Sequence, residues 1–472
     1  MKSRLEPLEV NRENPFLHCK LDRQKYAEVL TQVVDTYTQG CVLAINGEWG
    51  SGKTTFMSMW KQMLKNRGFT ALYFNVWEHD FVSDPLIGLV AELKSQLKVK
   101  DSTNQIEKII EASEKILRGA LPSLLGHFAE KIVGKGFAEV AKDTFSSTIH
   151  LFAKEVEIYE EQCSSISEFK QTLSELVEFC SNGKPLIFIV DELDRCNPFY
   201  AVKVLERIKH LFMIPNVVFV LSIDKKQLCS SIKGYYGSES INADEYLKRF
   251  IDIEYLLPQP DVEKFVEYLY EVYDFGVFFN HPERMKSARV NRERECFEKM
   301  SKYLFTDLHM NLRQMERAYS HIRLVIETFG TNSYVNPEII LILYYIRMRD
   351  CDSYTKIKNK QLTIENLVSL IENLLPNSLF ASENSSSDYK VRFVTYSVGL
   401  FLSCYTLNRN GYPIYTLLNK TKDALLFNCK VIDVKMLLEA IKFYERQGFD
   451  SCVFDLSLLI EHIELLFLLR AD

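Results

Sequence analysis

The sequence predicts an α/β protein: a parallel-sheet core built around a phosphate-binding loop, a helical insertion within that core, and an all-helical C-terminal region after it. Three observations predict this class. The run Gly47-Glu48-Trp49-Gly50-Ser51-Gly52-Lys53-Thr54 has the G-x-x-x-x-G-K-T spacing, between an apolar strand, Cys41 to Asn46, and an amphipathic helix expected from Thr55 to Leu64. A second apolar strand, Leu186 to Val190, runs into Asp191-Glu192-Leu193-Asp194-Arg195. From Asp261 onward the apolar residues recur at helical period.

In chain order, Lys20 to Gln39 carries Tyr26, Val29, Leu30 and Val33 at helical spacing and turns through Gly40 into the first strand. Thr70 to Trp77 is a second strand, and Asp84-Pro85 starts a helix that runs through Leu97. Strand, helix and strand at these intervals mean parallel pairing, because parallel neighbours need a crossover. Residues 101–170 interrupt that rhythm. They are helical in character, with Leu124, Leu125, Phe128, Ile132, Val133, Phe137, Val140 and Ala141 on one face. Gly126, Ala129, Gly134 and Gly136 are small enough for close helix packing against the body, a partner or a membrane surface, with intramolecular core the expected use. A helix from Phe199 to Met213 and a strand from Val217 to Ile223, ending in Asp224, follow the acidic run. The apolar Ile251 to Leu257 and Pro258 close the α/β part. The predicted domains are 12–100 with 171–260 for the core, 101–170 for the insertion, 261–375 for a helical region and 390–472 for a C-terminal helical domain. The polar tract Asn384 to Asp388 reads as a linker between the last two.

The phosphate loop carries the chemistry. Backbone N–H groups at a helix N-terminus are unpaired donors at the positive end of the helix dipole, and Gly47, Gly50 and Gly52 let that backbone approach a phosphate chain. The candidate nucleotide-binding residues are therefore Gly47, Glu48, Trp49, Gly50, Ser51, Gly52, Lys53, Thr54 and Thr55. Lys53 would reach the β- and γ-phosphates, and the Thr54 hydroxyl would join the magnesium shell. A carboxylate at the tip of a buried strand beside this loop can hold magnesium through water, and the next can orient the attacking water and take its proton. Asp191 and Glu192 take those two roles. An ordinary solvated turn is the bland reading of such acidic residues, and the phosphate loop argues against it. Asp224 is a candidate sensor of the γ-phosphate or else a helix cap.

Lys and Arg total 57 against 63 Asp and Glu, a net charge of −6. No lysine or arginine block supplies a local patch for nucleic acid, so such contacts are unsupported. The 11 cysteines include no C-x-x-C pair and no histidine at metal spacing, so reduced thiols are expected, with Cys196 near the site. The charged Met1 to Asn14 lacks the apolar centre of a signal peptide. Neither Phe393 to Asn408 nor Ile339 to Ile346 is long and apolar enough to span a membrane, and a cytoplasmic protein is expected.

The ordered set of Trp49 within the phosphate loop, Phe74-Asn75-Val76-Trp77, Asp191-Glu192-Leu193-Asp194-Arg195-Cys196, the strand Phe219 to Asp224 and the helix start Asn311-Leu312-Arg313 resembles the KAP family of P-loop NTPases over roughly residues 12–330. That resemblance implies an additional-strand ATPase related to AAA+ and STAND proteins. It implies ATP and Mg2+ as ligands, and hydrolysis used as a conformational switch, often within bacterial phage-exclusion systems. Self-association, or a hetero-complex with other products of a defence cassette, is expected with it. Many family members carry membrane helices between the two nucleotide motifs; here Glu130, Lys131, Lys135, Glu139 and Lys142 interrupt the insertion. Glu192 stands where the family often has Asp, and either carboxylate can serve as base. Arg195, Arg249, Arg313 and Arg317 are the basic side chains that could complete a site, in cis or from a neighbouring subunit. An ion pair with Asp191 or Asp194 competes with that role for Arg195, and a solvated helix face for Arg317. Two other function classes stay open: a module that holds nucleotide with little turnover and binds partners through its helical region, and an AAA+-like nucleic-acid remodeller.

Overall fold

The structure, a computed structural model, describes residues 9–37, 39–97, 103–118, 140–180, 183–286, 290–307, 310–331, 333–380, 385–411, 418–419, 424–425, 428–446 and 456–468. Described residues up to Gln259 form one compact unit, and those from Pro260 form a second.

The first unit is a three-layer α/β sandwich. Its strands are β1 (Cys41–Asn46), β2 (Ala71–Asn75), β3 (Leu186–Asp191), β4 (Val217–Ile223) and β5 (Ile253–Leu256), in the order β2-β3-β4-β1-β5 with every pair parallel. Both faces of β1, β3 and β4 are buried, which is why these strands read as unbroken apolar runs. Alternate residues serve opposite layers. Val42 and Ala44 face a core that includes Phe188 and Phe219, whereas Cys41, Leu43 and Ile45 face one that includes Leu30, Phe56 and Trp60. The second layer is supplied by helices α1 (Gln24–Thr36) and α2 (Lys53–Asn66). The first layer includes helix α3 (Pro85–Gln96), whose N-terminus is fixed by Pro85 and by the Asp84 carboxylate accepting from Leu86 N at 3.0 Å.

β4 lies between β1 and β3, so the strand feeding the phosphate loop and the strand ending in Asp191 are separated by one additional strand. Register aligns their tips: Asn75 pairs with Asp191, Asp191 with Ser222, and Ser222 with Ile45. A row of strand ends therefore faces the loop that follows Asn46.

Two helices of the insertion are described, Thr103–Arg118 and Val140–Cys180. Ile106, Ile109, Ala112 and Ile116 of the first pack in the same core as Phe169, Leu173, Leu176 and Val177 of the second. The second helix continues past the expected end of the insertion at residue 170 and delivers the chain to β3. The expected apolar face from Leu124 to Phe137, with its small residues, lies outside the described residues, as do the side chains of Val140 and Ala141.

Among its described residues the second unit is helical apart from a two-residue antiparallel pairing of Leu418–Asn419 with Ala424–Leu425. Ile339 to Ile346 is buried within the helix Pro337–Arg349, and Val394 to Tyr405 contributes Val394, Val398, Phe401, Leu402 and Tyr405 to the core from the helix Ser385–Asn410. The tract expected as a linker differs: Ser385 to Asp388 form the start of that helix, since serine and aspartate suit a helix N-terminus as well as a loop. Among the described residues no helix is long and apolar enough to cross a membrane.

Candidate functional site

The phosphate loop leaves β1 at Asn46 and crosses the tip of β4, with Gly47 N donating to Ile223 O at 3.0 Å. Gly50 (φ 79°) and Gly52 (φ 82°) adopt the left-handed region, where a side chain would be strained. At Gly47 a Cβ would meet Ser51 Oγ at 3.1 Å and Lys53 Cδ at 3.4 Å, so glycine lets the loop close on itself. Lys53 opens α2 and is buried. Its Nζ folds back to donate to the carbonyls of Gly47 (2.5 Å) and Glu48 (3.2 Å). Burial lowers its pKa, while Asp194, Asp224 and Asp191 favour the charged form in that order. Thr54 and Thr55 are exposed on the first turn of the helix.

Three side chains outside the expected set of site residues order this loop and the carboxylate beside it. Arg23, at the N-terminus of α1, is only 3% exposed. It donates from Nη2 to Ser51 O (2.7 Å) and from Nη1 to Gly52 O (3.1 Å), engaging the carbonyls so that the opposite sides of those peptides stay free for a ligand. Asp194 accepts from the Trp49 indole N–H; burial raises its pKa against that bond and the nearby Lys53 charge. Tyr73 donates from its hydroxyl to Asp191 Oδ2 at 2.9 Å, and burial beside Asp191 pushes its phenol well up, so it remains a donor. Arg23 had no local sequence signal, standing well before the loop in an ordinary charged stretch. Tyr73 faces Asp191 only through the β2–β3 pairing.

Arg23→Ala should leave two buried carbonyls without their charged partner, costing about 2–4 kcal/mol by the usual worth of such bonds. Thermal unfolding of the chain should show the loss, nucleotide affinity should fall with it, and Arg23→Lys should restore part of both. Unchanged melting and affinity in Arg23→Ala would contradict this role.

The acidic side is equally ordered. Asp191, 1% exposed, accepts on Oδ1 from Glu192 N at 2.9 Å and on Oδ2 from Tyr73. Glu192 sits at φ 63°, a left-handed conformation uncommon outside glycine, asparagine and aspartate. Burial raises its pKa, opposed first by Arg195, while the Asn75 amide also favours the charged form. Arg195 is expected to pair with Asp191 or Asp194, yet its Nη1 meets Glu192 Oε1 at 2.5 Å, with the guanidinium 5.7 Å from the Trp77 ring centre. The intervening short helical turn, Leu193–Arg195, brings residues three apart onto one side.

Asp224 fills the helix-cap role and also holds the phosphate loop. Its Oδ1 caps the helix Lys225–Tyr236 by accepting from Lys226 N (3.1 Å) and Gln227 N (3.4 Å), and its Oδ2 accepts from Trp49 N at 3.1 Å. Trp49 thereby ties the phosphate loop to β4 through its backbone and to the β3 loop through its indole. Cys196 is buried, and burial raises its thiol far above the ordinary value, leaving it an inert packing group. Arg249 does not join this site: it lies by Val42 and Asp252, where β1 and β5 begin. Arg313 and Arg317 belong to the second unit, both exposed on the helix Leu312–Glu327.

The residues present suit a nucleotide with magnesium. The Ser51 hydroxyl is buried with no hydrogen-bond partner, the loop is pre-shaped by two left-handed glycines, and Lys53 holds a buried positive charge at its centre. Thr54 and Asp191 are the hard oxygen donors a divalent cation selects.

A family-level comparison agrees with a phosphate-loop domain. The KAP family P-loop domain matches residues 23–329. The chain is 20% identical over 241 residues to the Phage T7 exclusion protein of Escherichia coli (strain K12), a match covering 47% of this chain and 30% of that protein's length. Among solved structures, the Aeropyrum pernix ORC2 protein, with ADPNP and ADP, aligns at TM-score 0.35 and 12% identity over 91% of this chain and 95% of that one. A DNA replication initiation factor aligns at TM-score 0.30 and 11% identity over 98% of each chain.

Proposed function

The chain belongs to the KAP family of P-loop domains, and from that premise we propose that it binds and hydrolyses ATP with magnesium as a conformational or assembly switch, in the cytoplasm of a bacterial cell that excludes phage. The observation carrying this reading is the alignment of strand tips that sets Asp191 and Glu192 beside a loop built around Lys53. Lys53 would leave the Gly47 and Glu48 carbonyls for the β- and γ-phosphate oxygens. Glu192 would orient the attacking water and accept its proton as the water oxygen bonds to the γ-phosphorus and the bridging oxygen leaves with ADP. Thr54 directly and Asp191 through water would hold magnesium, which neutralises charge on those phosphates when bound. Asp224, through Trp49, would pass a change at the phosphate loop to the helix it caps. The phage-exclusion role rests on the similarity to one relative, of which this chain spans less than a third. Partners would be further copies of the chain or other products of a defence cassette.

A second reading, a module that holds nucleotide with little turnover, is favoured by one contact: the Glu192 carboxylate is engaged by Arg195. Steady-state ATP hydrolysis by the purified chain, with mass photometry in the presence and absence of ATP, separates the two. Turnover with an ATP-dependent change in assembly supports the switch. Tight nucleotide binding without turnover supports the holding module.

A further inference from the structure

The loops that follow β2 and β3 are fastened to each other at both ends. Val76 N donates to Asp191 O at 3.1 Å, continuing the strand pairing by one residue, and Asn197 N donates to Asp80 Oδ2 at 3.4 Å. Between those two bonds the chain after β2 makes the short helical turn Trp77–His79, and the chain after β3 makes the turn Leu193–Arg195. Trp77 is thereby set against Arg195, whose guanidinium lies 5.7 Å from the indole ring centre, within the range of a cation–π contact. Trp77 is 50% exposed, so its ring is not part of the core.

The same guanidinium holds the carboxylate assigned as the base. Arg195 Nη1 meets Glu192 Oε1 at 2.5 Å, with the two side chains 24% and 12% exposed. The turn fixes this approach, because Arg195 N also donates to Glu192 O at 3.1 Å. From the β2 side the Asn75 amide bonds the same carboxylate while donating to Glu78 Oε1 at 2.8 Å. Glu192 is therefore gripped from two loops at once. A carboxylate takes a proton from water only through a lone pair that is free and aimed at that water. A charge-assisted bond to Arg195 competes for that lone pair, and Trp77 favours the competing geometry by holding the guanidinium in place.

We propose that Trp77 and Arg195 are positioning residues that restrain Glu192, so that the chain hydrolyses ATP more slowly than a free Glu192 would allow. The proposal rests on the assignment of Glu192 as general base. Arg195 then acts on the reaction through Glu192 rather than by touching phosphate, and Trp77 acts through Arg195. Opening the clamp leaves nucleotide binding alone, because the bonds that shape the phosphate loop, from Lys53 to Gly47 O, from Arg23 to Ser51 O and from Trp49 N to Asp224, involve neither Arg195 nor Glu192.

Steady-state ATP hydrolysis by the full chain and its variants tests this. Arg195→Ala should raise kcat roughly three- to tenfold, the scale of one partly buried ion pair, and leave KM for ATP as it was. Trp77→Ala, a change at a half-exposed side chain, should raise kcat about two- to fivefold, the scale of the cation–π contact it removes. Trp77→Phe keeps a ring beside the guanidinium and should stay near the parent, and Arg195→Lys should fall between the parent and Arg195→Ala. Trp77→Ala should add nothing once Arg195 is alanine, whereas a merely structural role for Trp77 would add its effect to that of Arg195. Parental turnover in Glu192→Gln would remove the base assignment and the clamp with it. Turnover lost in Glu192→Gln but not raised in Arg195→Ala and Trp77→Ala would overturn the clamp alone. So would a lower kcat in Arg195→Ala, the mark of an arginine that touches phosphate, or additive effects of the two changes.

Discussion

Lys53→Ala should abolish tight nucleotide binding, lowering affinity on the order of a hundredfold or more, the scale of losing several charge-assisted bonds to phosphate. The size of the effect follows from placement. The ammonium is buried and held ready only by two peptide carbonyls, so it can be transferred to phosphate oxygens without breaking any side-chain ion pair of its own. Burial already disfavours its charge, and a phosphate would supply the compensation that Asp194, Asp224 and Asp191 give at a distance. Folding should suffer much less than binding, because the lost bonds are to carbonyls in a loop beside solvent. Equilibrium binding of a fluorescent ATP analogue, paired with a melt in the absence of nucleotide, checks both. Binding at the parental level would remove the phosphate-loop assignment.

Glu192→Gln should keep nucleotide binding and lose turnover by roughly 10²–10⁴-fold, the contribution of a positioned general base. Glutamine has nearly the same shape, so the left-handed backbone at this position and the contact with Asn75 should survive. It cannot accept the proton of water, and its pairing with Arg195 loses its charge. Single-turnover hydrolysis and ATP affinity measured on the same preparation separate the two effects. A variant that hydrolysed ATP at the parental rate would place the base elsewhere.

Much of the candidate site was legible because its chemistry is local. The loop from Gly47 to Thr54 and the carboxylates after β3 are contiguous runs whose spacing carries their geometry. The parallel sheet was readable too, since strands buried on both faces leave unbroken apolar stretches. What stayed hidden depends on contacts between segments far apart in the chain. Arg23 reaches Ser51 and Gly52, Tyr73 reaches Asp191, and Trp49 reaches both Asp194 and Asp224; no periodicity records such pairs. Arg195 illustrates the same limit. Its charge was visible, but the short turn that points it at Glu192 rather than at the flanking aspartates appears only in three dimensions. Arg249 was a candidate by charge alone, and within its own chain strand order sends it to where β1 begins.

The position of β1 in the sheet also sets the order in which the protein can be completed during synthesis. Cys41–Asn46 is made before the other four strands of its sheet, yet its two neighbours, Val217–Ile223 and Ile253–Leu256, are the last two of that sheet to be made. At about 5–20 residues per second, on the order of ten seconds or more separate the first strand from its partners. For that interval the early strand offers unpaired edges, while β3 and the insertion helices are still being added. The sheet closes through contacts of long sequence separation, the kind that fold slowly and leave apolar segments open to capture by other chains. The loop from Gly47 to Thr54 is thus made well before the strands that flank β1, and it can take its final shape only once Ile253–Leu256 has been added.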